Sequence, residues 1–511
     1  MIADDVNSSD TPLDLLVIGG GINGTGIACD AAGRGLSVCL CEQDDLAGAT
    51  SSASSKLIHG GLRYLEQYEF RLVREALGER EVMLSKAAHI IKPMRFILPH
   101  HHQMRPAWLV RLGLFLYDHL AAHPRLANSE GVDLTRHAAG VPLKSGMDKG
   151  FAYADCWVDD ARLVIFNAMQ AADKGATILT RTKLVEARRE NGLWRARLRD
   201  QQSGTEQTVR ARVLVNAAGP WVKEVLDEAL GASTDKSVVL VKGSHIVTPR
   251  LHEGSHAYIR QNPDRRVVFV IPFQDDFSLI GTTDIPVEGD PGQPTIDEDE
   301  VRYLCDSANR YFEKQISAAD VVWSYSGVRP LFNDGEVDPS AVTREYVLDL
   351  DAPPGEGPVL SIFGGKITTY RSLAEQVLDK LRPFFPDMTP AWTATTPLPG
   401  GDMPDADFDR FFAAVRDTWP ALDEAILRGL ARRHGVLIHQ LLADIETVDD
   451  LGQSFGGGLY AREVDYFVAH EWARTAEDIL WRRTKAGLYM DADQCAGLSE
   501  YLSAGLAAAD R

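Results

Sequence analysis

Residues Leu15 to Glu42 read LLVIGGGINGTGIACDAAGRGLSVCLCE. The order of residue types in this stretch predicts a buried strand, a glycine-rich turn, a helix and a second strand. Gly19, Gly21 and Gly24 give the turn the spacing G-x-G-x-x-G, and the second strand ends at Glu42. A lone glycine motif is weak, but its place between a strand and a helix predicts a dinucleotide-binding βαβ unit.

Each part of this stretch has a chemical reason to bind a dinucleotide. Glycines let the backbone approach a pyrophosphate, and a helix N-terminus offers unpaired N–H groups at the positive end of its dipole. The carboxylate of Glu42 can accept hydrogen bonds from adenosine ribose hydroxyls, and its charge disfavours the 2′-phosphate of NADP. The stretch therefore predicts a site for FAD or NAD.

Two later segments favour FAD. Val209–Val222, VRARVLVNAAGPWV, predicts a buried strand that runs into a turn. Val359–Leu381, VLSIFGGKITTYRSLAEQVLDKL, predicts a strand, a Gly-Gly turn and a helix with apolar residues at helical spacing. The N-terminus of that helix can face the flavin edge on which negative charge develops during reduction. Either segment alone is an ordinary βα unit, but together with the first motif they predict FAD.

Composition limits the class of protein. A chain of 511 residues with 45% hydrophobic and 25% charged residues predicts two or three globular domains. The net charge of −20 argues against a nucleic-acid partner, but a local arginine cluster can still bind a small anion. The six cysteines form no CxxC motif and no metal-ligand cluster, so we predict a reducing compartment and no metal. The acidic N-terminus excludes an ordinary secretory signal, and a cytoplasmic location is expected.

The chain resembles the aerobic, FAD-dependent glycerol-3-phosphate dehydrogenases of bacteria. The blocks that carry the resemblance occur in the family's order up to about residue 390: VIGGGINGTGIACDAAGRGLSV, TSSASSKLIHGGLRYLE, YADCWVDDARLV, NAAGPWV, KGSHIV, IGTTD, YSGVRPL and FGGKITTYR. Further on, DLGQSFG and EWARTAEDILWRRTKAGL resemble the family's C-terminal domain. The resemblance is nearly full-length and more specific than any single motif.

The resemblance implies an α/β fold: an FAD-binding Rossmann-like domain with an inserted antiparallel β substrate domain, plus a C-terminal all-helical domain. The oxidoreductase region would span residues 1–390, with the FAD-binding domain roughly at 12–100, 150–235 and 325–388. Substrate segments would lie between these pieces, mainly at 236–324, and the helical domain at 391–511. Two patterns agree: β-rich runs flank the turn-like QDDF within RRVVFVIPFQDDFSLIGTTD, and a Pro- and Gly-rich linker begins near residue 388.

The resemblance also implies an activity and a set of FAD-binding residues. The reaction is oxidation of sn-glycerol 3-phosphate to dihydroxyacetone phosphate, with hydride transfer to FAD and electrons passed to ubiquinone or a similar quinone. The stretch ATSSASSKLIHGGLRYLE would run along the flavin and reach the substrate pocket. The implied FAD-binding residues are Gly19, Gly21, Gly24, Glu42, Thr50, Ser51, Ser52, Ser55, Lys56, Leu57, Ala218, Gly219, Gly364, Gly365, Lys366 and Thr368.

A phosphate substrate needs fixed cations, and the planar fork of arginine suits it. The substrate-binding candidates within the family blocks or beside them are Arg63, Tyr64, Arg329, Arg344 and Lys366. For the base that removes the C2 hydroxyl proton, the candidates are His59 and His245, because histidine titrates near neutral pH. We favour His245; in the alternatives, His59 bonds the flavin or the backbone, and Arg329 polarises the hydroxyl.

Three other functions stay open on the sequence. A glycerol-phosphate oxidase would share the flavin chemistry but use oxygen as the acceptor. An amine or amino-acid oxidase shares the fold, although its carboxylate substrate would not require so many cations. A flavin-bearing assembly protein would have no turnover at all.

The resemblance further implies a homodimer that associates peripherally with the cytoplasmic face of the inner membrane. The predicted docking segment is Ile90–His123, in which Asp118 is the only acidic residue. Basic residues and a short apolar stretch suit a segment in the membrane interface, whereas the alternative is a buried core helix with a basic flank. The basic residues are Lys92, Arg95, Arg105 and Arg111, and the apolar ones are Trp108, Leu109, Leu112, Leu114, Phe115, Leu116 and Tyr117.

Overall fold

The computed structural model describes residues 11–101, 105–232, 234–262, 264, 266–287, 289–292, 294–333 and 345–509. The strands are β1 (Leu13–Ile18), β2 (Val38–Cys41), β3 (Leu57–Ile58), β4 (Ile91–His100), β5 (Glu130–Asp133), β6 (Lys149–Val158), β7 (Thr177–Leu179), β8 (Thr182–Glu190), β9 (Leu193–Asp200), β10 (Glu206–Asn216), β11 (Val238–Pro249), β12 (Ala257–Gln261), β13 (Val267–Phe273), β14 (Phe277–Gly281), β15 (Ile285–Pro286), β16 (Trp323–Phe332), β17 (Val347–Asp351), β18 (Val359–Phe363), β19 (Ser454–Gly456) and β20 (Leu459–Tyr460). The helices are α1 (Ile22–Gly33), α2 (Phe70–Lys86), α3 (Ala107–His119), α4 (Asp160–Asp173), α5 (Val222–Glu224), α6 (Glu298–Asn309), α7 (Tyr370–Leu381), α8 (Phe408–Thr418), α9 (Glu424–His434), α10 (Ile438–Leu441), α11 (Ala461–His470) and α12 (Ala492–Ala509).

The first sheet contains the three strands that the glycine motifs follow. Its strand order is β17-β18-β10-β1-β2-β7, with β9 attached to β10 and β8 to β9. Strand β1 pairs in parallel with β2 and β10, and β10 pairs in parallel with β18. The carboxyl ends of parallel strands meet at one edge of a sheet, so the three predicted turns come together there.

Helices α1, α4 and α7 share the main hydrophobic core with this sheet. Residues Leu15 to Ile18 of β1 are buried, which explains their continuous apolar sequence. Helices α1 and α7 approach closely at Gly26, where an added Cβ would lie 2.7 Å from Cδ2 of Tyr370. A larger residue at this position would force the two helices apart.

The second sheet has ten strands, and groups of them alternate along the sequence with groups of strands of the first sheet. Its order is β15-β11-β14-β13-β12-β4-β6-β3, with β16 paired to β11 and β5 paired to β6. The pairing is antiparallel except between β12 and β4. The predicted QDDF turn is confirmed, because β13 and β14 form a hairpin that closes at the pair Phe273 and Phe277.

The C-terminal region has its own hydrophobic core, built from helices α8 to α12. It is helical apart from the small hairpin of β19 and β20. The linker-like stretch predicted after residue 388 contains only one short 3₁₀ turn, Pro404–Ala406, before α8 begins. Within the described residues, no helix is long and apolar enough to cross a bilayer.

Candidate active site

An elongated cleft lies at the carboxyl edge of the first sheet. The predicted turns after β1, β10 and β18 all line this cleft, and they contribute Gly19, Gly21, Ala218, Gly219, Gly364 and Gly365. Glu42 at the end of β2 and Lys366 also line it. The three segments predicted to bind a dinucleotide therefore form one site.

The glycines of the first turn fit a dinucleotide for two different reasons. Gly19 has a φ of +108°, and a Cβ on Gly24 would lie 1.9 Å from the carbonyl oxygen of Gly19, so both are needed for the turn itself. Among the described residues, a Cβ on Gly21 would have only the Ser51 Oγ nearby, at 3.1 Å. The absence of a side chain at Gly21 therefore keeps the cleft open, at the N-terminus of α1 where a pyrophosphate would bind.

The carboxylate of Glu42 is held by two backbone N–H groups at the edge of the cleft. Gly20 N donates to its Oε2 at 2.6 Å, and Asp44 N donates to its Oε1 at 2.8 Å. Burial raises the pKa of Glu42 to about 7, although these hydrogen bonds favour the charged form. The position is the one that an adenosine ribose requires, at the end of the second strand of a βαβ unit.

The loop Thr50–Ser55 is fixed against strand β16. Thr50 Oγ1 donates to the carbonyl of Val328 at 2.6 Å, and the Tyr325 hydroxyl donates to the carbonyl of Ser54 at 2.7 Å. A Cβ on Gly327 would lie 2.7 Å from the Cβ of Ala53, so the close approach requires glycine. Small side chains thus let this loop run along the cleft, which Thr50, Ser51 and Ser54 line.

Asp160 anchors the same loop, although it is not among the residues predicted from the sequence. Its Oδ2 accepts from the hydroxyl of Ser54 at 2.7 Å, and its Oδ1 accepts from Lys56 Nζ at 2.8 Å. Lys56 is fully buried in this ion pair, and Leu57 lies in the hydrophobic core, so neither lines the described cleft. The block YADCWVDDARLV contained the signal, because it places two aspartates where a strand gives way to a helix.

Two predicted active-site residues, His245 and Arg329, lie on one face of the second sheet. Strands β11 and β16 pair so that His245 opposes Tyr325 and Val241 opposes Arg329. His245 stacks on the Tyr325 ring at 4.8 Å, and its Nε2 lies 2.9 Å from the hydroxyl of Ser55. Burial, and then the charge of Arg329, hold the pKa of His245 well below its usual value, so its imidazole is neutral.

Arg329 is held in a fixed position by acceptors from one loop. Its Nη1 donates to Asp284 Oδ1 at 2.6 Å, and its Nη2 donates to Thr282 Oγ1 at 2.9 Å. Space for the guanidinium depends on Gly243, because a Cβ there would lie 2.3 Å from Nη2 of Arg329. The block IGTTD carries both acceptors, which are not among the residues predicted from the sequence.

A second group of predicted residues lies where the third turn meets the stretch after Thr50–Ser55. Lys366 Nζ lies 3.9 Å from the centre of the Tyr64 ring, and the backbone nitrogen of His59 donates to Thr368 Oγ1 at 3.3 Å. Burial lowers the pKa of His59. Arg63 directly precedes Tyr64 in the sequence and is half-buried. Arg344 lies outside the described residues.

Comparison with known proteins agrees with this geometry. A family model described as FAD dependent oxidoreductase matches residues 14–371, and a model described as C-terminal domain of alpha-glycerophosphate oxidase matches residues 391–502. A glycerol-3-phosphate dehydrogenase of Pseudomonas aeruginosa is 54% identical over 490 residues, which cover 96% of this chain and 94% of that protein. A D-erythritol 1-phosphate dehydrogenase of Brucella abortus is 53% identical, with 97% of this chain and 99% of that protein covered.

A solved structure gives the same result for the fold. The glycerol-3-phosphate dehydrogenase of Bacillus halodurans, complexed with FAD, superposes with a TM-score of 0.76 at 25% identity, covering 98% of this chain and 96% of that one. The predicted fold class and the family resemblance are confirmed. This chain belongs to the FAD dependent oxidoreductase family, with FAD as its cofactor, and it carries the C-terminal domain of the alpha-glycerophosphate oxidase type.

Proposed function

We propose that this enzyme oxidises sn-glycerol 3-phosphate to dihydroxyacetone phosphate and passes the electrons to a membrane quinone. The observation that supports this most directly is the placement of two cations: Lys366 lines the cleft, and Arg329 is fixed on the sheet face that the loop Thr50–Ser55 contacts. A phosphate monoester carries nearly two negative charges, and it requires fixed cations of this kind. Two relatives with more than half of their residues identical are named for phosphorylated polyol substrates.

Bound FAD supplies the hydride acceptor, and the residues of this chain must hold the substrate and remove one proton. In the proposal Arg329 and Lys366 bind the phosphate, together with Arg63, Tyr64 and Arg344. Arg329 keeps its geometry through Asp284, so it can bind an anion without first losing conformational freedom.

His245 is the proposed base for the C2 hydroxyl proton. Its imidazole is neutral and therefore able to accept a proton, and Ser55 orients the ring through Nε2. The proton taken up by His245 balances the hydride that leaves C2, and the product is the ketone. His59 stays the alternative base, because burial also keeps its ring neutral.

The substrate could also be a longer polyol phosphate. The Brucella abortus relative, at 53% identity, is named a D-erythritol 1-phosphate dehydrogenase. Both substrates pair a phosphate monoester with a secondary hydroxyl, so the same cations and the same base would serve either one. Size discrimination in the pocket would then decide between them.

The membrane proposal is supported by the surface of helix α3. Trp108 is 68% exposed and Phe115 49% exposed, and Leu109, Leu112 and Leu116 extend the same apolar surface. Helix α3 is therefore not the buried core helix of the alternative. Five exposed apolar side chains on one helix suit a lipid surface, from which an enzyme can reduce a lipid-soluble quinone.

Two features of the predicted docking segment need correction. Residues Ile91–His100 form strand β4 of the second sheet, so they lie within the fold, and residues 102–104 are outside the described part. The local positive charge is also reduced, because Arg95 pairs with Glu130 at 2.6 Å and Arg105 pairs with Glu66 at 3.0 Å. The proposed docking surface is therefore the apolar face of α3, at the cytoplasmic side of the membrane.

The homodimer and the domain division at about residue 390 are part of the same proposal. The family models support the division, since one ends at 371 and the other begins at 391. Sedimentation of the purified enzyme tests the dimer.

Anaerobic titration tests the proposed reaction. The purified holoenzyme should lose its flavin absorbance near 450 nm, a general property of reduced flavin, on addition of about one equivalent of sn-glycerol 3-phosphate. A parallel titration with D-erythritol 1-phosphate tests whether the longer substrate reduces the flavin. Titrations with glycine or sarcosine test the amine-oxidase alternative. Failure of both polyol phosphates to bleach the flavin would contradict the proposal.

The acceptor is measured separately. In air, a quinone-linked enzyme should reduce a short-chain quinone much faster than it forms hydrogen peroxide. Stoichiometric peroxide with slow quinone reduction would instead identify a glycerol-phosphate oxidase.

A further inference from the structure

A buried cluster of charges joins the C-terminal region to the loop that follows Glu42. We define this Asp45 cluster by Asp45, Arg181, Asp478, Arg482 and Arg483. Asp45 is 3% exposed; its Oδ2 accepts from Arg482 Nε at 2.6 Å and its Oδ1 from Arg483 Nη2 at 2.8 Å. Two guanidinium groups from the C-terminal region therefore neutralise one carboxylate of the FAD-binding region.

The cluster continues back into the FAD-binding region through Asp478. Its Oδ1 accepts from Arg482 at 2.6 Å, and its Oδ2 accepts from Arg181 at 2.5 Å. Arg181 in turn donates its backbone N–H to the carbonyl of Asp44 at 2.8 Å. The loop beside Glu42 is thus held from two sides by the same ionic group.

The backbone around Asp45 forms one wall of the FAD cleft. Glu42, Asp44, Ala47 and Gly48 line the cleft, whereas Asp45 is buried behind them. Ala47 also donates its N–H to the carbonyl of Gly20 at 3.1 Å, within the first glycine turn. A displacement of Asp45 would therefore move both the ribose carboxylate and the turn that receives the pyrophosphate.

Neighbouring ion pairs also connect the C-terminal region to the anchor of the loop Thr50–Ser55. Arg162 and Glu471 form a fully buried ion pair, and Lys485 Nζ lies 3.6 Å from Asp159 Oδ1. Asp159 caps helix α4 immediately before Asp160, the residue that anchors the loop Thr50–Ser55. Residues 471–485 therefore support the anchors of both loops that flank the cleft.

We propose that residues 471–485 are a positioning element for FAD, and that Asp45, held by Arg482 and Arg483, is a positioning residue for the adenosine half of the cofactor. The C-terminal region then contributes to the retention of FAD, and this contribution is independent of any role in substrate binding. Removing one member of a buried ion pair leaves the other charge uncompensated, so the loop would move to expose it. The FAD site would lose its preformed shape, and FAD would dissociate faster.

The test compares FAD release from holoenzyme variants after dilution, followed by the rise in flavin fluorescence. Asp45→Asn should release FAD about tenfold faster than the wild type, which corresponds to the loss of one strong charge-assisted bond. Arg482→Gln should accelerate release by about threefold, because Arg483 still binds Asp45. Excess FAD should restore the activity of both variants.

The matched control is Glu463→Gln. Glu463 is 2% exposed and is bound by Arg433 Nε at 2.6 Å and by His434 Nε2 at 2.8 Å, entirely within the C-terminal region. This variant should lower the unfolding temperature, measured by circular dichroism, without changing the FAD release rate. If it released FAD as fast as Asp45→Asn, general destabilisation would explain the effect and the proposal would be overturned.

A wild-type release rate in folded Asp45→Asn would overturn the proposal as well. If Asp45→Asn does not fold, Arg482→Gln decides, because its side chain is 14% exposed and water can replace it. A wild-type rate in that variant is then the contradicting result. FAD release needs no substrate, so these outcomes are independent of the proposed reaction.

Discussion

The hydroxyl of Tyr117 accepts a hydrogen bond from the backbone nitrogen of Gly60 at 2.8 Å. Tyr117 lies on the buried side of helix α3, and its hydroxyl also donates to Asp155 Oδ1 at 2.8 Å. Gly60 lies between His59 and the turn that carries Tyr64. Helix α3, with its exposed apolar face, is therefore bonded directly to the stretch ATSSASSKLIHGGLRYLE, which is predicted to reach the substrate pocket.

Replacement of Tyr117 by Phe should weaken both stability and substrate binding. The Gly60 N–H would keep only its 3.3 Å bond to Asp155, and the Asp155 carboxylate would lose the Tyr117 hydroxyl as a donor, which costs about 1.5–3 kcal/mol. We expect a lower unfolding temperature and a higher KM for sn-glycerol 3-phosphate, measured by calorimetry and steady-state kinetics. Tyr153→Phe, whose ring packs edge-on against Tyr117, is the control, and equal effects on KM would argue against a specific bond.

Replacement of Gly21 by Val should abolish FAD binding without unfolding the protein. Its side chain would project toward the cleft, where the pyrophosphate backbone must approach. The purified variant should be colourless, with a wild-type circular dichroism spectrum. Gly24→Ala should instead damage the fold itself, since its Cβ would overlap the carbonyl of Gly19. A yellow Gly21→Val protein would place the cofactor elsewhere.

Replacement of Arg329 by Ala should lower kcat/KM for sn-glycerol 3-phosphate far more than replacement by Lys. Loss of a charge-assisted bond to the substrate costs about 1.5–3 kcal/mol, or roughly 10- to 100-fold in kcat/KM. Lys keeps the charge but loses the planar fork with which Arg329 donates to Asp284 and Thr282 at the same time. The flavin spectrum should be unchanged in both variants. Near-normal kinetics in both would exclude Arg329 from the substrate pocket.

FAD should bind more weakly at pH 6 than at pH 8. Burial raises the pKa of Glu42 from 4.5 to about 7, so the carboxylate is mostly protonated at pH 6 and mostly charged at pH 8. Ribose hydroxyls bond best to the charged form, and the dissociation constant of FAD should rise about tenfold between these pH values. In the absence of FAD, the stability of the folded protein depends on pH in the opposite direction. The raised pKa of Glu42 stabilises the folded state below about pH 4.5, and this stabilisation is lost as the pH rises through 7. Glu42→Gln should remove the pH dependence of FAD binding; a slope that persists must come from another group.

Replacement of Trp108, Leu112 and Phe115 by Gln should release the enzyme from anionic lipid vesicles. Each buried apolar side chain contributes about 1.5–3 kcal/mol, so the partition coefficient should fall by more than roughly 100-fold. Turnover with a water-soluble dye should persist, while quinone reduction slows. A control with Val141, Val322 and Val448 replaced by Gln changes exposed apolar residues elsewhere and should bind vesicles normally. Retention of the α3 variant on vesicles would place the docking surface elsewhere.

The main features of the cofactor cleft could be predicted from sequence because their signals are local. A strand, a turn with glycines at Gly19, Gly21 and Gly24, and a helix are encoded within one short stretch, and the turns at Gly219 and Gly364 follow buried strands in the same way. Each prediction needed only residue spacing and the chemistry of a close phosphate approach.

The anchoring residues could not be predicted in the same way, because their contacts join distant parts of the chain. Asp160 bonds Ser54 across 106 residues of sequence, and Arg483 bonds Asp45 across 438. An aspartate at a helix start is also common as a cap, so its type does not reveal a second role. For the docking segment, strand β4 was missed because its basic residues resembled a surface pattern, although the strand pairs along its whole length with β6.

Pairing of β1 with β10, and of β10 with β18, determines when the cofactor can be loaded during biosynthesis. Leu15 pairs with Val213, and Leu214 pairs with Val359, so the sheet is incomplete until the ribosome has made nearly three quarters of the chain. At about 5–20 residues per second, roughly 20–70 seconds pass between the synthesis of β1 and the synthesis of β18. FAD must therefore be captured after most of the polypeptide has emerged, and chaperones have a long interval in which to shield the apolar edge of the nascent first strand.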